Sequence, residues 1–194
     1  MSGFLDRLDI QAQGVWLPLT FGATVLLIAI FMPKRQINWP GIYLTFGVIG
    51  YVGIILDINI LGEYFDLFDL GDPNQEGIGD LMSYAIIPSC MAVIFLNYFD
   101  KEHKWPYVAV FTFISFAYEW LLTQIGYMKL IGWQNWYSIP VFILIYGVWL
   151  PWHLEVMRKG ATGNVRRRYS SYLHVEPAYK LLDQDGDDDN RGKR

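Results

Sequence analysis

The chain has 194 residues, 53% hydrophobic and 18% charged, with a net charge of −4. Its single cysteine, Cys90, excludes an intramolecular disulfide, and its apolar residues fall in runs too long for a soluble domain of ordinary layout. No Gly-x-Ser-x-Gly elbow, His-Glu-x-x-His helix or paired-Asp motif of metal-dependent lipid transferases occurs, so no enzyme is expected.

Residues 1–13 carry Asp6, Arg7 and Asp9, lack a basic n-region and show no small-residue cleavage site before a long apolar run. They read as an extracytoplasmic segment ahead of a retained anchor, not as a cleaved signal peptide. A hydrocarbon core about 30 Å thick takes roughly 20 apolar residues in a helix. Five segments meet that test, at about 14–32, 39–56, 81–99, 105–128 and 133–152, and together they predict an all-α, five-helix membrane domain over 14–156. Pro18, Pro40 and Pro106 fall in first turns, where a missing N–H has no intrahelical partner to lose. Trp16, Trp39, Trp105, Trp133, Trp136, Tyr137, Trp149 and Trp152 sit at segment ends and read as interfacial belts.

The connections set the orientation. Lys34 and Arg35 follow the first segment, Lys101 and Lys104 the third, and nine Lys and Arg residues lie beyond the fifth, whereas the opposite side has only Arg7 and Lys129. The positive-inside rule then puts the N-terminus outside and the charged tail, 157–194, in the cytoplasm. Arg158, Lys159, Arg166, Arg167 and Arg168 form a juxtamembrane cluster suited to anionic lipid, and nucleic acid is not an expected partner. The tail ends in an acidic run, 183–189, whose spacing fails the EF-hand pattern.

Between the second and third segments lie seven carboxylates, Asp57, Glu63, Asp66, Asp69, Asp72, Glu76 and Asp80, without a Lys or Arg. As a helix, Ile60, Leu61, Tyr64, Phe65, Leu67 and Phe68 would share one face and Glu63, Asp66 and Asp69 the other, predicting an acidic amphipathic helix at the outer interface. Gly71-Asp72-Pro73-Asn74 would end it. The carboxylates read as a solvated face, with Ca²⁺ capture as the alternative.

Glu119 is the most informative internal residue, because a carboxylate inside a span costs several kcal/mol unless protonated, paired or hydrated. Thr112, Ser115, Glu119, Thr123 and Gly126 fall within about 80° on that helix, a polar stripe that must face protein or water. On the third segment Asp80, Ser83, Cys90 and Asn97 share a sector, and Pro88 should kink the helix and release the Tyr84 carbonyl. On the second, Gly47, Gly50 and Gly53 predict close helix approach, with Asp57 at the outer end. Asp57, Asp80 and Glu119 are expected to converge on an outward-facing polar recess, either as a proton or cation site or with Glu119 as a protonated interhelical tie. His103 and His153 lie near the cytoplasmic ends and His174 in the tail, so no haem pair, metal or other cofactor is expected.

The runs Asp80-Leu81-Met82-Ser83-Tyr84-Ala85-Ile86-Ile87-Pro88, Tyr118-Glu119-Trp120 and Gly132-Trp133-Gln134-Asn135-Trp136-Tyr137-Ser138 resemble those of an uncharacterised family of small multi-pass membrane proteins from Bacillus-like and clostridial spore-forming bacteria. The resemblance covers about 40–155. It implies a bacterial plasma membrane and a spore-associated setting, and it transfers no catalytic residue. Two function classes stay open. One is a component that binds or passes protons, cations or a small solute within a homo-oligomer or a complex with a membrane partner, since short spans enclose little volume. The other is a non-catalytic accessory, sensor or assembly subunit.

Overall fold

A computed structural model of the protein describes residues 9–72 and 77–159. Glu76, Arg166, Arg167, Arg168, His174 and the acidic run 183–189 lie outside the described residues. Among the described residues the protein is mostly helical, 74%, with five helices, four of them long and apolar enough to cross a membrane. These are α1 (Trp16–Phe31), α2 (Trp39–Gly62), α3 (Ile78–Tyr98), α4 (Lys104–Gln124) and α5 (Asn135–Lys159).

Local chemistry sets the helix ends. Gly14, at φ 83°, precedes α1, and its 16 residues make it the short member. The Lys34 ammonium donates to the carbonyls of Ala29, Ile30 and Met32, closing the C-terminus of α1 where a cation opposes the helix dipole. Asn38 caps α2 by accepting from the Gly41 N–H at 3.0 Å, with Pro40 in the first turn. Gly126, at φ 80°, stops α4 after Gln124, short of the expected boundary at Met128.

The acidic connection departs from the sequence expectation. Helical winding ends at Tyr64, Asp66 turns the chain at φ 51°, and Phe68–Leu70 form strand β1. β1 pairs antiparallel with β2 (Met128–Leu130) in the register Phe68↔Leu130, Asp69↔Lys129 and Leu70↔Met128. The helical pattern from Ile60 to Phe68 is a local signal, whereas the partner of this backbone lies beyond α4. Opposite charges at Asp69 and Lys129 face each other across the ribbon.

α3 is the central helix. Of its apolar window 61% is buried, against 19%, 17% and 28% for α2, α4 and α5. α1 and α2 pack on α3, and α5 packs on α4. Large apolar side chains such as Phe31, Tyr43 and Phe113 are left exposed on the outer faces, which is compatible with a membrane protein.

Connections gather at two ends. At the first, Gly71 donates to the Tyr127 carbonyl at 2.9 Å, Asp72 N–H to Asp9 Oδ2 at 3.1 Å, and Gln13 Nε2 to the Ile125 carbonyl at 3.2 Å. Beneath this ribbon, Val15, Phe68, Leu70, Tyr84, Leu122, Tyr127 and Met128 make an apolar seal. At the second end Asn97 of α3 holds the α1–α2 connection. Its Oδ1 accepts from Arg35 N–H at 2.8 Å and its Nδ2 donates to the Pro33 carbonyl at 2.9 Å. Gln36 Nε2 donates to the Phe99 carbonyl beside it. In the exposed turn that follows, a hydrogen bond from His103 holds the Asp100 carboxyl below the usual carboxylate range.

π-helical winding continues the end of α2 over Ile54–Tyr64 and widens α3 over Met82–Ile86 and α5 over Ile145–Trp149. In α3 the cause is local. Pro88 has no N–H for the Tyr84 carbonyl, and the turn before it closes instead by Ile87 N–H to Met82 O. The Tyr84 carbonyl oxygen is directed at Gly53 of α2, where a Cβ would collide with it. Gly50 likewise lies against Ala85 and Ser89, whose hydroxyl donates to the Phe46 carbonyl at 3.1 Å. Gly47, expected on the same face, has nothing within 4 Å of its would-be Cβ. It lies about 120° around the helix from Gly53 and opens onto an apolar groove with Trp39, Tyr43 and Tyr51.

Candidate functional site

Glu119 sits on the regular winding of α4, half-buried, with its carboxylate turned to the start of α5. Ser138 Oγ donates to Glu119 Oε1 at 2.5 Å and itself accepts from Trp133 Nε1 at 2.9 Å. The loop that delivers Trp133 is fixed by one carbonyl: Leu67 O accepts the N–H groups of Ile131, Gly132 and Trp133 at 2.9, 3.1 and 3.1 Å. The acidic connection after α2 thus shapes the loop that holds Glu119. One turn further along α4, Thr123 Oγ1 bonds the Glu119 carbonyl at 3.1 Å and Asn135 Oδ1 at 3.3 Å.

Asp57, also half-buried, lies on the π-helical part of α2 and has Glu119 as its charged neighbour. Two like charges in a place of low dielectric repel, and a bound proton or cation would relieve that repulsion.

Two further side chains of α4, Tyr118 and Ser115, pair across helices. Tyr118 OH lies 3.0 Å from Ser83 Oγ of α3, and its ring stacks on Phe21 of α1 at 4.7 Å. Ser115 Oγ lies 2.8 Å from Tyr146 OH of α5. Thr112, 8% exposed, carries a buried hydroxyl with no hydrogen-bond partner, the one such side chain among the described residues.

Asp80 is not brought to Glu119 by any hydrogen bond. It is 2% exposed at the start of α3, where Oδ2 accepts the Gly77 N–H at 2.6 Å and Oδ1 accepts the Tyr127 hydroxyl at 2.7 Å. Burial, reinforced by this bond to Asp80, pushes the Tyr127 phenol well above its ordinary value, which keeps Tyr127 the donor. Asp80 therefore acts as a helix-start acceptor. A Cβ at Gly71, φ 55°, would lie 3.0 Å from Asp9 Oδ2 and 3.3 Å from Asp80 Oδ1, so only glycine lets those carboxylates close around the turn.

Cys90 is fully buried in α3, Asn97 serves the opposite end, and Gly126 terminates α4. Arg158 and Lys159 close α5. Among the described residues no three His, Cys, Asp or Glu side chains gather closely enough to hold a metal ion.

Sequence reasoning overlooked Ser138, Trp133, Tyr118 and Tyr146 as partners of the stripe, and His153, which lies buried 3.3 Å from Thr45. Ser83 lies against Tyr118 and Ser138 against Glu119, pairings between distant parts of the chain that leave no local signal in the sequence. No protein-family model matches the chain, and neither does any curated protein or solved structure.

Proposed function

We propose that this is a polytopic protein of a bacterial plasma membrane that binds a proton or cation at Asp57 and Glu119 as part of a permeation assembly. The observation that carries this is a half-buried carboxylate, Glu119, on the polar stripe of the apolar helix α4, held by Ser138 and with Asp57 of α2 as a charged neighbour. All five helices cross. α1, about 24 Å long, is short for the bilayer but runs between the same two ends as its neighbours, so local thinning or flanking residues make up the difference. The end holding Asp9, the ribbon and the α4–α5 loop faces outward, and Lys34, Arg35, Lys101 and Lys104 face the cytoplasm. The acidic connection lies at the outer interface, the basic residues after α5 hold anionic lipid, and the assembly forms from copies of this chain or a membrane partner.

The test is ion flux in liposomes holding the full-length protein, with Glu119→Gln and Asp57→Asn compared after equal insertion is verified. Loss of flux in both variants supports the reading.

The bond from Ser138 to Glu119 favours a second reading, a non-catalytic accessory subunit in which Glu119 ties α4 to α5. It predicts no flux in any variant and a change confined to thermal stability.

A further inference from the structure

The polar face of α4 steps inward from Glu119 to Ser115 to Thr112, at i−4 and i−7, which stacks these groups on one helix face. Midway along it, the Tyr146 hydroxyl meets Ser115 at 2.8 Å. The Tyr146 ring is part of a tight aromatic cluster, with centroids 5.1 Å from Phe95 and 5.5 Å from Phe111, which are 5.2 Å from each other. Phe95 and Tyr146 are both buried. A metal cation crossing such a place would need several oxygen ligands around it, and ring carbons offer none. Ring edges also leave no width for a bulky organic cation.

Two independent features lie at the same level. Thr112 has its hydroxyl buried without a partner, an orphan that a water molecule would satisfy. α5 winds as a π-helix over Ile145–Trp149, around Tyr146, and such local widening recurs at functional positions in helices.

The geometry points to the proton as the species handled by the Asp57–Glu119 pair, with Tyr146 as the residue that passes it and excludes other cations. The inference rests on the reading of that pair as the site. A proton leaving the pair through water binds the Ser115 oxygen while the Ser115 hydroxyl proton moves to the Tyr146 oxygen. The original phenolic proton of Tyr146 departs to water at Thr112. Each oxygen gains one proton and loses one, so no charge stays behind and no redox partner is needed. The ring blocks whatever is too large to travel as a proton.

The experiment measures proton and Na⁺ flux side by side in liposomes of phosphatidylcholine and phosphatidylglycerol, driven by a K⁺ diffusion potential. Wild type is expected to pass protons and not Na⁺. Tyr146→Phe, which keeps the ring, should lower proton flux about tenfold or more, and Ser115→Ala should lower it similarly from the other side of the bond. Tyr146→Ala, which removes the plug, should admit Na⁺. Proton flux unchanged in both Tyr146→Phe and Ser115→Ala, yet abolished by Glu119→Gln, would overturn the role of Tyr146 and leave the carboxylate site standing. Na⁺ flux through wild type at a rate like that of protons would overturn the assignment of the proton. No flux through wild type at all would overturn the site and this inference together.

Discussion

Ser138 donates its hydroxyl proton to Glu119 at 2.5 Å and accepts the indole N–H of Trp133 at 2.9 Å, so one small side chain connects the start of α5 to the C-terminal part of α4. Ser138 is buried, 4% exposed, and Trp133 is a second side-chain donor to Glu119. Removing Ser138 takes away the shorter of the two supports and the acceptor of the indole N–H.

Ser138→Ala should therefore destabilise the protein by about 1–2 kcal/mol, the range expected when a buried interhelical hydrogen bond is broken in a membrane protein. Thermal unfolding in detergent reads the change. Unaltered stability would mean that Glu119 finds another donor and that Ser138 is not its anchor.

Gly53 and Gly47 should respond oppositely to alanine. At Gly53 the new methyl meets the Tyr84 carbonyl, a backbone atom that can yield only if α2 and α3 separate, and about 1–3 kcal/mol of destabilisation is expected. At Gly47 nothing lies within 4 Å, so Gly47→Ala should change stability by no more than about 0.5 kcal/mol. Equal melting temperatures for the two variants would contradict the packing of α2 on α3.

Tyr127 gives the ribbon end a pH dependence. Its phenol is raised in the folded state by burial and by the bond to Asp80, so the folded protein holds this proton more tightly than the unfolded chain. The contribution is complete below the unfolded value of about pH 10 and is lost as pH climbs beyond it. Stability measured from neutral pH to strong alkali should fall from that point upward, with a shallower fall in Tyr127→Phe. The same variant should be less stable at neutral pH by about 1–3 kcal/mol, because Asp80 Oδ1 loses its donor in a buried place.

The orientation is checked with single cysteines at Lys34, Glu76 and Lys159, labelled from outside intact cells with an impermeant reagent. Cys90 is fully buried and should stay silent without being replaced. Labelling at Glu76 with protection at Lys34 and Lys159 is the expected pattern. The reverse pattern would turn the molecule over and place the Asp57–Glu119 pair nearer the cytoplasm.

Hydropathy by itself predicted five apolar helices, four of which are long enough to cross a membrane, and came close to where each begins, because the length of an apolar run and the chemistry of its first turn are local properties. Helical periodicity likewise put Thr112, Ser115, Glu119 and Thr123 on one face of α4. The partners of that face were decided only by tertiary structure. Asp80 is engaged by Gly77 and by Tyr127 from beyond α4, and Glu119 by Ser138 at the start of α5. The acidic stretch carries a helical pattern, yet Phe68–Leu70 form a strand because β2 supplies the hydrogen bonds their backbone needs. A π-helical turn shifts every later side chain around its axis, so the sectors of Ser83 and Tyr146 follow from where the helices widen, and not from a uniform 100° per residue. Local sequence sets which groups lie on a face, and the distant chain that packs there sets what they touch.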